Sequence, residues 1–145
     1  MMDHCELCQP SGHIIFSAPQ WRVVLVDDAN YPGFCRVIWH EHIREMTDLV
    51  PAQRQLLMDV VWLVETVLRE VLQPHKINLA SFGNVVPHLH WHVIPRFEDD
   101  VHFPNPVWGK IERGSSAAHR LALLPVLEAE LKSRLAVIGV LRPAG

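Results

Sequence analysis

Between residues 88 and 94 the chain reads His-Leu-His-Trp-His-Val-Ile, three histidines alternating with apolar residues. Successive side chains of a strand point to opposite faces, so His88, His90 and His92 are expected along one face and Leu89, Trp91 and Val93 along the other. Three imidazoles are costly to bury unless each finds a partner, so that face has to meet something polar. Neutral imidazole is a competent nucleophile toward phosphorus, because one nitrogen carries a lone pair while the other holds the proton. If a backbone carbonyl holds the Nδ1 proton of His90, Nε2 is free to attack, and the intermediate is a phosphoramidate on His90. That step asks for no metal.

A second group of candidates lies at the start of the chain. Cys5-x-x-Cys8 has the spacing of half a zinc site, and equally that of a redox pair or two incidental thiols. A four-coordinate site needs two more ligands, and His42 and His88 are available to supply them. His4, His13 and His40 lie near enough in sequence to be confused with these. Cys35 has no neighbouring partner and reads as a core residue. Three cysteines make an odd set, better suited to a reduced compartment than to a disulfide framework.

The elements that must position these groups follow from patterning. Residues 14–17 and 21–27 read as two strands around Ala18-Pro19-Gln20, and a turn over residues 28–33 leads to a third strand from Cys35 to Trp39. Thr47 or Asp48 is expected to cap a long helix, with Pro51 in its first turn and apolar residues from Leu56 to Leu72 at helical spacing. Gln73-Pro74 stops it. Strands over 76–82 and 89–95 follow, joined by a short turn around Gly83-Asn84. After a proline-rich loop carrying Trp108, Ser115 or Ser116 is expected to cap a final helix to about Ala136, with Leu121, Leu124, Leu127, Leu131 and Leu135 along one side. The pattern is α+β: a mostly antiparallel five-stranded sheet with a long core helix and a C-terminal helix. Trp21, Trp62 and Trp91 are expected in the core, Arg96 exposed at a strand end, and Glu98-Asp99-Asp100 as a solvated acidic turn.

At 145 residues and 49% hydrophobic, the chain is expected to form a single domain over 1–145, with 115–136 as a C-terminal helical extension. A net charge of −3 with interspersed signs offers no basic stripe, which argues against a nucleic-acid partner. No apolar run reaches membrane-spanning length, and the first residues lack the basic-then-apolar order of a signal peptide. The expectation is a cytoplasmic protein with no membrane partner.

The run from His88 to Ile94 resembles the motif that names the histidine-triad (HIT) family, and the likeness extends through Asn78, through Gly83-Asn84-Val85-Val86 and through the segment from Val37 to His42. The resemblance implies a HIT-like fold and nucleotidylyl-histidine chemistry, with His90 as nucleophile and His92 at the substrate phosphate or its leaving group. It places Asn78, Asn84, Val85 and Trp108 at a nucleotide, and makes the partner a small-molecule AMP conjugate, either a phosphoramidate or a dinucleoside polyphosphate. It also implies a homodimer. The zinc-containing branch uses an N-terminal cysteine pair, a histidine before the helix and the first triad histidine, which fall on Cys5, Cys8, His42 and His88. His88 would then be structural. Two departures stand out. Asn84 is one methylene shorter than the glutamine usual in the family, and Phe34 occupies a position where many members carry a histidine. The second favours, as an alternative to a hydrolase, a nucleotide-binding module with weak or no catalysis. A nucleotidyl transferase is the other alternative, although such enzymes carry two such domains.

Overall fold

Alternation along the five strands divides the molecule into a core side and a site side. The computed structural model describes residues 5–141, so His4 lies outside the described residues. The strands are β1 (His13–Ser17), β2 (Trp21–Leu25), β3 (Cys35–Trp39), β4 (Lys76–Ala80) and β5 (His90–Arg96), in the order β1-β2-β3-β5-β4, with every neighbouring pair antiparallel. Trp21, Val23, Cys35, Val37, Trp39 and Val93 belong to one buried cluster with the apolar stripe of helix α1 (Pro51–Leu72). The intervening residues, among them Arg36, His90 and His92, occupy the opposite face.

Helix α1 begins at Pro51, later than the expected Thr47 or Asp48 cap. Residues Met46–Asp48 form a separate 3-10 turn in which Asp48 accepts from the Glu45 amide at 3.1 Å, while Val50 stands at the helix N-cap. Proline suits the first helical position because its missing N–H needs no partner there. Gln73 adopts the left-handed conformation and Pro74 follows, so the helix ends as expected. The C-terminal element also differs in detail. Residues Ala117–Leu123 form 3-10 turns and helix α2 runs from Leu124–Leu141. Leu127, Leu131 and Leu135 are wholly buried in the same cluster as α1, whereas Leu121 is exposed. Gly33 has φ of +95°, a left-handed conformation that favours glycine, and a Cβ there would stand 2.5 Å from Leu72 Cδ1, so that side chain would have to shift. Trp62, expected in the core, is 48% exposed on α1. No helix among the described residues is long and apolar enough to cross a membrane.

The expected tight hairpin between β4 and β5 is absent. Residues 81–89 form a loop, because Leu89 pairs outside the β4–β5 ladder: its amide donates to Ile43 O at 2.8 Å and its carbonyl accepts from Trp39 N at 3.2 Å.

Beyond β5, Glu98 and Asp99 lie in an exposed turn as expected, but Arg96 and Asp100 form a buried hub. Arg96 and Asp100 are each 2% exposed, and the guanidinium grips both carboxylate oxygens, Nε to Oδ2 at 2.9 Å and Nη2 to Oδ1 at 3.1 Å. Asp100 also accepts from the amides of Phe97, His102 and Phe103 and from the Tyr31 hydroxyl. Sequence reading missed the hub because its parts come from three separate segments. Asp99 is held too, by Arg120 at 2.7 Å.

Burial alone would raise the Asp100 carboxyl, but the hydrogen bonds from Arg96, Phe97 and Phe103 outweigh it and hold it below the usual carboxylate range. A depressed folded-state pKa contributes stability that is complete above the unfolded value of about 3.9 and disappears as pH falls through the folded value. Asp100→Asn strands a buried guanidinium, and urea unfolding at neutral pH is expected to show a loss of about 3–5 kcal/mol. The difference between variant and wild type should narrow below pH 4; a constant difference down to pH 2 would contradict this assignment.

Candidate active site

The β3–β5 register sets the site. His90 lies opposite Ile38 and His92 opposite Arg36, on the face away from α1. His88 precedes the regular strand, so the expected row of three becomes a pair in the strand and a third residue beside it.

His90 is buried, with Nδ1 2.6 Å from the backbone oxygen of His88. A carbonyl only accepts, so the proton resides on Nδ1 and the lone pair on Nε2. Burial lowers the pKa of His90, the bond to His88 partly opposes that shift, and the Arg36 charge adds to it. Burial, the His90 ring and Arg36 together bring His92 down to about 4. Both imidazoles are therefore neutral at neutral pH, the form in which a ring nitrogen is nucleophilic. The His92 ring meets Phe34 edge-on at 5.7 Å and Trp108 at 5.0 Å, and among the described residues its buried Nδ1 has no hydrogen-bond partner. Phe34 is buried with Tyr31 and Ile94 and offers His92 nothing to bond.

A cavity of about 440 Å³ opens over His90, His92 and Arg36. The 81–89 loop contributes Phe82, Gly83, Asn84, Val85 and Val86, and the N-terminal segment contributes Glu6 and Leu7. Trp108 closes against Phe82, ring centroids 4.9 Å apart. Asn84, Val85 and Trp108 thus line the cavity. Asn78 does not; its Oδ1 accepts from Arg96 Nη1 at 2.8 Å, tying β4 to the Asp100 hub. Arg36, Phe82, Glu6 and Leu7 escaped the sequence reading. The available signal for Arg36 was a lone charge inside an otherwise apolar strand.

Next to this cavity, Cys5, Cys8, His42 and His88 bring four ligand atoms within 4.8 Å of one another, an arrangement that could hold a metal ion. Cys8 Sγ lies 3.2 Å from His42 Nδ1 and 3.5 Å from His88 Nδ1, and Cys5 Sγ lies 3.4 Å from His88 Nδ1. Zinc bonds of about 2.3 Å to sulfur and 2.0 Å to nitrogen at a tetrahedral angle would set such pairs roughly 3.5 Å apart. The His88 Nε2 proton is donated to Trp39 O at 2.5 Å, which leaves Nδ1 as the ligating nitrogen. Local structure supports the pair of thiols: Glu6–Cys8 is a 3-10 turn, and Arg22 Nη2 donates to Leu7 O at 2.8 Å and to Gln9 O at 3.2 Å. The other nearby histidines are engaged elsewhere, His40 with Pro19 O and His13 with Glu128. Cys35 is a core residue as expected; it is fully buried, and burial pushes its thiol up to about 12.

Comparison with known proteins agrees with this geometry. A histidine triad protein of Bradyrhizobium japonicum superposes with a TM-score of 0.68 at 30% identity, over 83% of this chain and 87% of that one. A zinc-bound histidine triad family protein from Mycobacterium smegmatis gives a TM-score of 0.62 at 21% identity, over 92% and 99%. An AP-4-A phosphorylase of Mycobacterium tuberculosis (strain ATCC 25618 / H37Rv) is 29% identical over 84 residues, 54% of this chain but 43% of that protein, so the match spans less than half of the curated relative. The sequence model of the HIT domain matches residues 9–99, more than half of the chain, and it includes β5 with His90 and His92. By that match and by its fold, the chain belongs to the HIT domain family.

Proposed function

We propose that the protein hydrolyses nucleotide conjugates, AMP phosphoramidates or dinucleoside polyphosphates, through a nucleotidylyl-His90 intermediate. The observation that carries this reading is the 2.6 Å bond from His90 Nδ1 to His88 O, which points an unprotonated Nε2 at a cavity large enough for a nucleotide. Attack by the Nε2 lone pair forms an N–P bond and breaks the bond from phosphorus to the leaving group, which departs with the electron pair and takes up a proton. The His88 carbonyl then faces the positive charge that develops on the ring. Water attacks the same phosphorus, the N–P bond breaks, and nucleoside monophosphate and neutral His90 are regenerated. His92 stands beside the phosphoryl group and its leaving atom, with Asn84, Val85 and Trp108 on the nucleotide. The nucleotide chemistry of the AP-4-A phosphorylase relative supports the substrate class.

Early quenching of wild type with radiolabelled adenosine phosphoramidate or dinucleoside polyphosphate is expected to leave label on the protein. His90→Ala should leave none and lower turnover by at least about 10³-fold. Wild-type turnover in that variant would end the reading. One observation favours a second: Phe34 beside His92 leaves the Nδ1 of that ring without a partner, as in a binding module with little catalysis. Tight AMP binding without turnover across adenylated amines, adenylated acids and dinucleotides would select it.

For the Cys5, Cys8, His42 and His88 cluster we propose zinc, a choice supported by the two-thiol, two-imidazole donor set and by the zinc-bound relative. Four protein ligands leave no open position, so the ion would be structural, cross-linking the N-terminal turn to His88. Elemental analysis should find one zinc per chain, lost in Cys8→Ala; stoichiometric metal in that variant would count against these ligands. The sheet ends in two unpaired edges, β1 and β4, which suits a homodimer joined along an edge strand. Sedimentation should give a dimer at micromolar concentration, and a monomer there would exclude it.

A further inference from the structure

Arg36 differs from the other buried or half-buried arginines. Arg96 is matched to Asp100, Arg120 to Asp99, and Arg22 to two backbone carbonyls. The Arg36 side chain makes no hydrogen bond or ion pair among the described residues, and its Nε, like that of Arg22, is buried without a partner. Strand pairing nevertheless delivers it to the cavity, directly across the ladder from His92 and diagonal to His90. Partial desolvation of an unmatched guanidinium is unfavourable, and an anion is the partner that relieves it. Arg36 is the one arginine or lysine among the residues lining the cavity.

We propose that Arg36 is the phosphoryl anchor of this site, its guanidinium fork gripping the non-bridging oxygens of the group that His90 attacks. This assignment rests on the phosphoryl-transfer reading above and deepens it. A planar guanidinium presents two parallel donors that match two oxygens of one phosphate, whereas neutral imidazoles offer at most one donor each. The same fork compensates the charge that builds on those oxygens as the N–P bond forms. It also supplies the anion contact that Asn84, with its shorter reach, supplies less well. Selection then favours an anionic phosphoryl centre over neutral analogues of the same nucleoside.

The test is calorimetric binding of AMP and of adenosine to wild type, Arg36→Met and Arg36→Lys, with unfolding temperature and metal content recorded for each. Arg36→Met is expected to weaken AMP about tenfold or more while leaving adenosine unchanged. Arg36→Lys, which keeps charge but lacks the fork, should fall between. Its intermediate AMP affinity carries the test if the methionine variant does not fold. On an adenosine phosphoramidate, Arg36→Met should lose about 10²-fold in kcat/KM with kcat falling. Equal AMP affinity in wild type and either folded variant overturns the assignment, as does His90 labelling at the wild-type rate in Arg36→Met. If wild type shows Arg36-dependent AMP binding but never labels His90, the anchor stands and the hydrolase reading fails.

Discussion

His88 is held at three points, and the site depends on all three. Its Nε2 proton goes to Trp39 O, its Nδ1 faces the two cysteines, and its carbonyl accepts the Nδ1 proton of His90. The first bond ties the residue to the end of β3, so the loop arriving from residue 81 reaches β5 in a fixed position. The third decides which nitrogen of His90 is free. A histidine in water exchanges its proton between two tautomers; one donating to a backbone oxygen in a buried position does not need to choose. The cysteine pair is therefore mechanically joined to His90 through a single residue, although the two are far apart in the sequence.

Buried charge is treated in two ways in this molecule. Around Asp100 both carboxylate oxygens accept hydrogen bonds and Arg96 matches the charge, so the segment after β5 is a brace that also captures Asn78 through Arg96. Arg36, by contrast, stands without a carboxylate while two neutral imidazoles share its surroundings. A network that is fully satisfied favours one structure, whereas an unsatisfied group beside a cavity lowers the affinity threshold for any ligand that completes it. The contrast sets a satisfied network beyond β5 and an unmatched charge beside its start.

How much of this was legible in the chain follows from the range of each interaction. Alternation in Cys35 to Trp39 and in His90 to Arg96, and the helical spacing from Leu56 to Leu72, are local signals, and the elements appear close to where patterning puts them. The cysteine pair with His42 and His88 was readable through the family resemblance, and the structure brings the four together. Arg36 was not readable as a site residue, because its role exists only in the β3–β5 register that sets it opposite His92. Asp100 looked like a loop acid for the same reason: its partners Tyr31 and Arg96 are assembled by the sheet. The strands pair as expected, but the short turn around Gly83-Asn84 is a longer loop because Leu89 directs its hydrogen bonds to Ile43 and Trp39, a choice invisible to turn statistics.

The N-terminal segment shows why the cluster and the cavity are built as one object. Glu6 and Leu7 line the cavity from within a single 3-10 turn, and a turn of that length has too few internal bonds to persist alone. Two outside restraints hold it: Arg22 on the Leu7 and Gln9 carbonyls, and the flanking thiols packed against His42 and His88. Leu7 is buried with Val24 and Ile38, residues on the same sheet face as His90 and His92. Freeing the turn would remove one wall and expose that apolar face, yet His90 would keep its tautomer as long as Trp39 O retains the His88 ring. Cavity closure and the orientation of His90 are thus separable, with His88 the one residue that belongs to both.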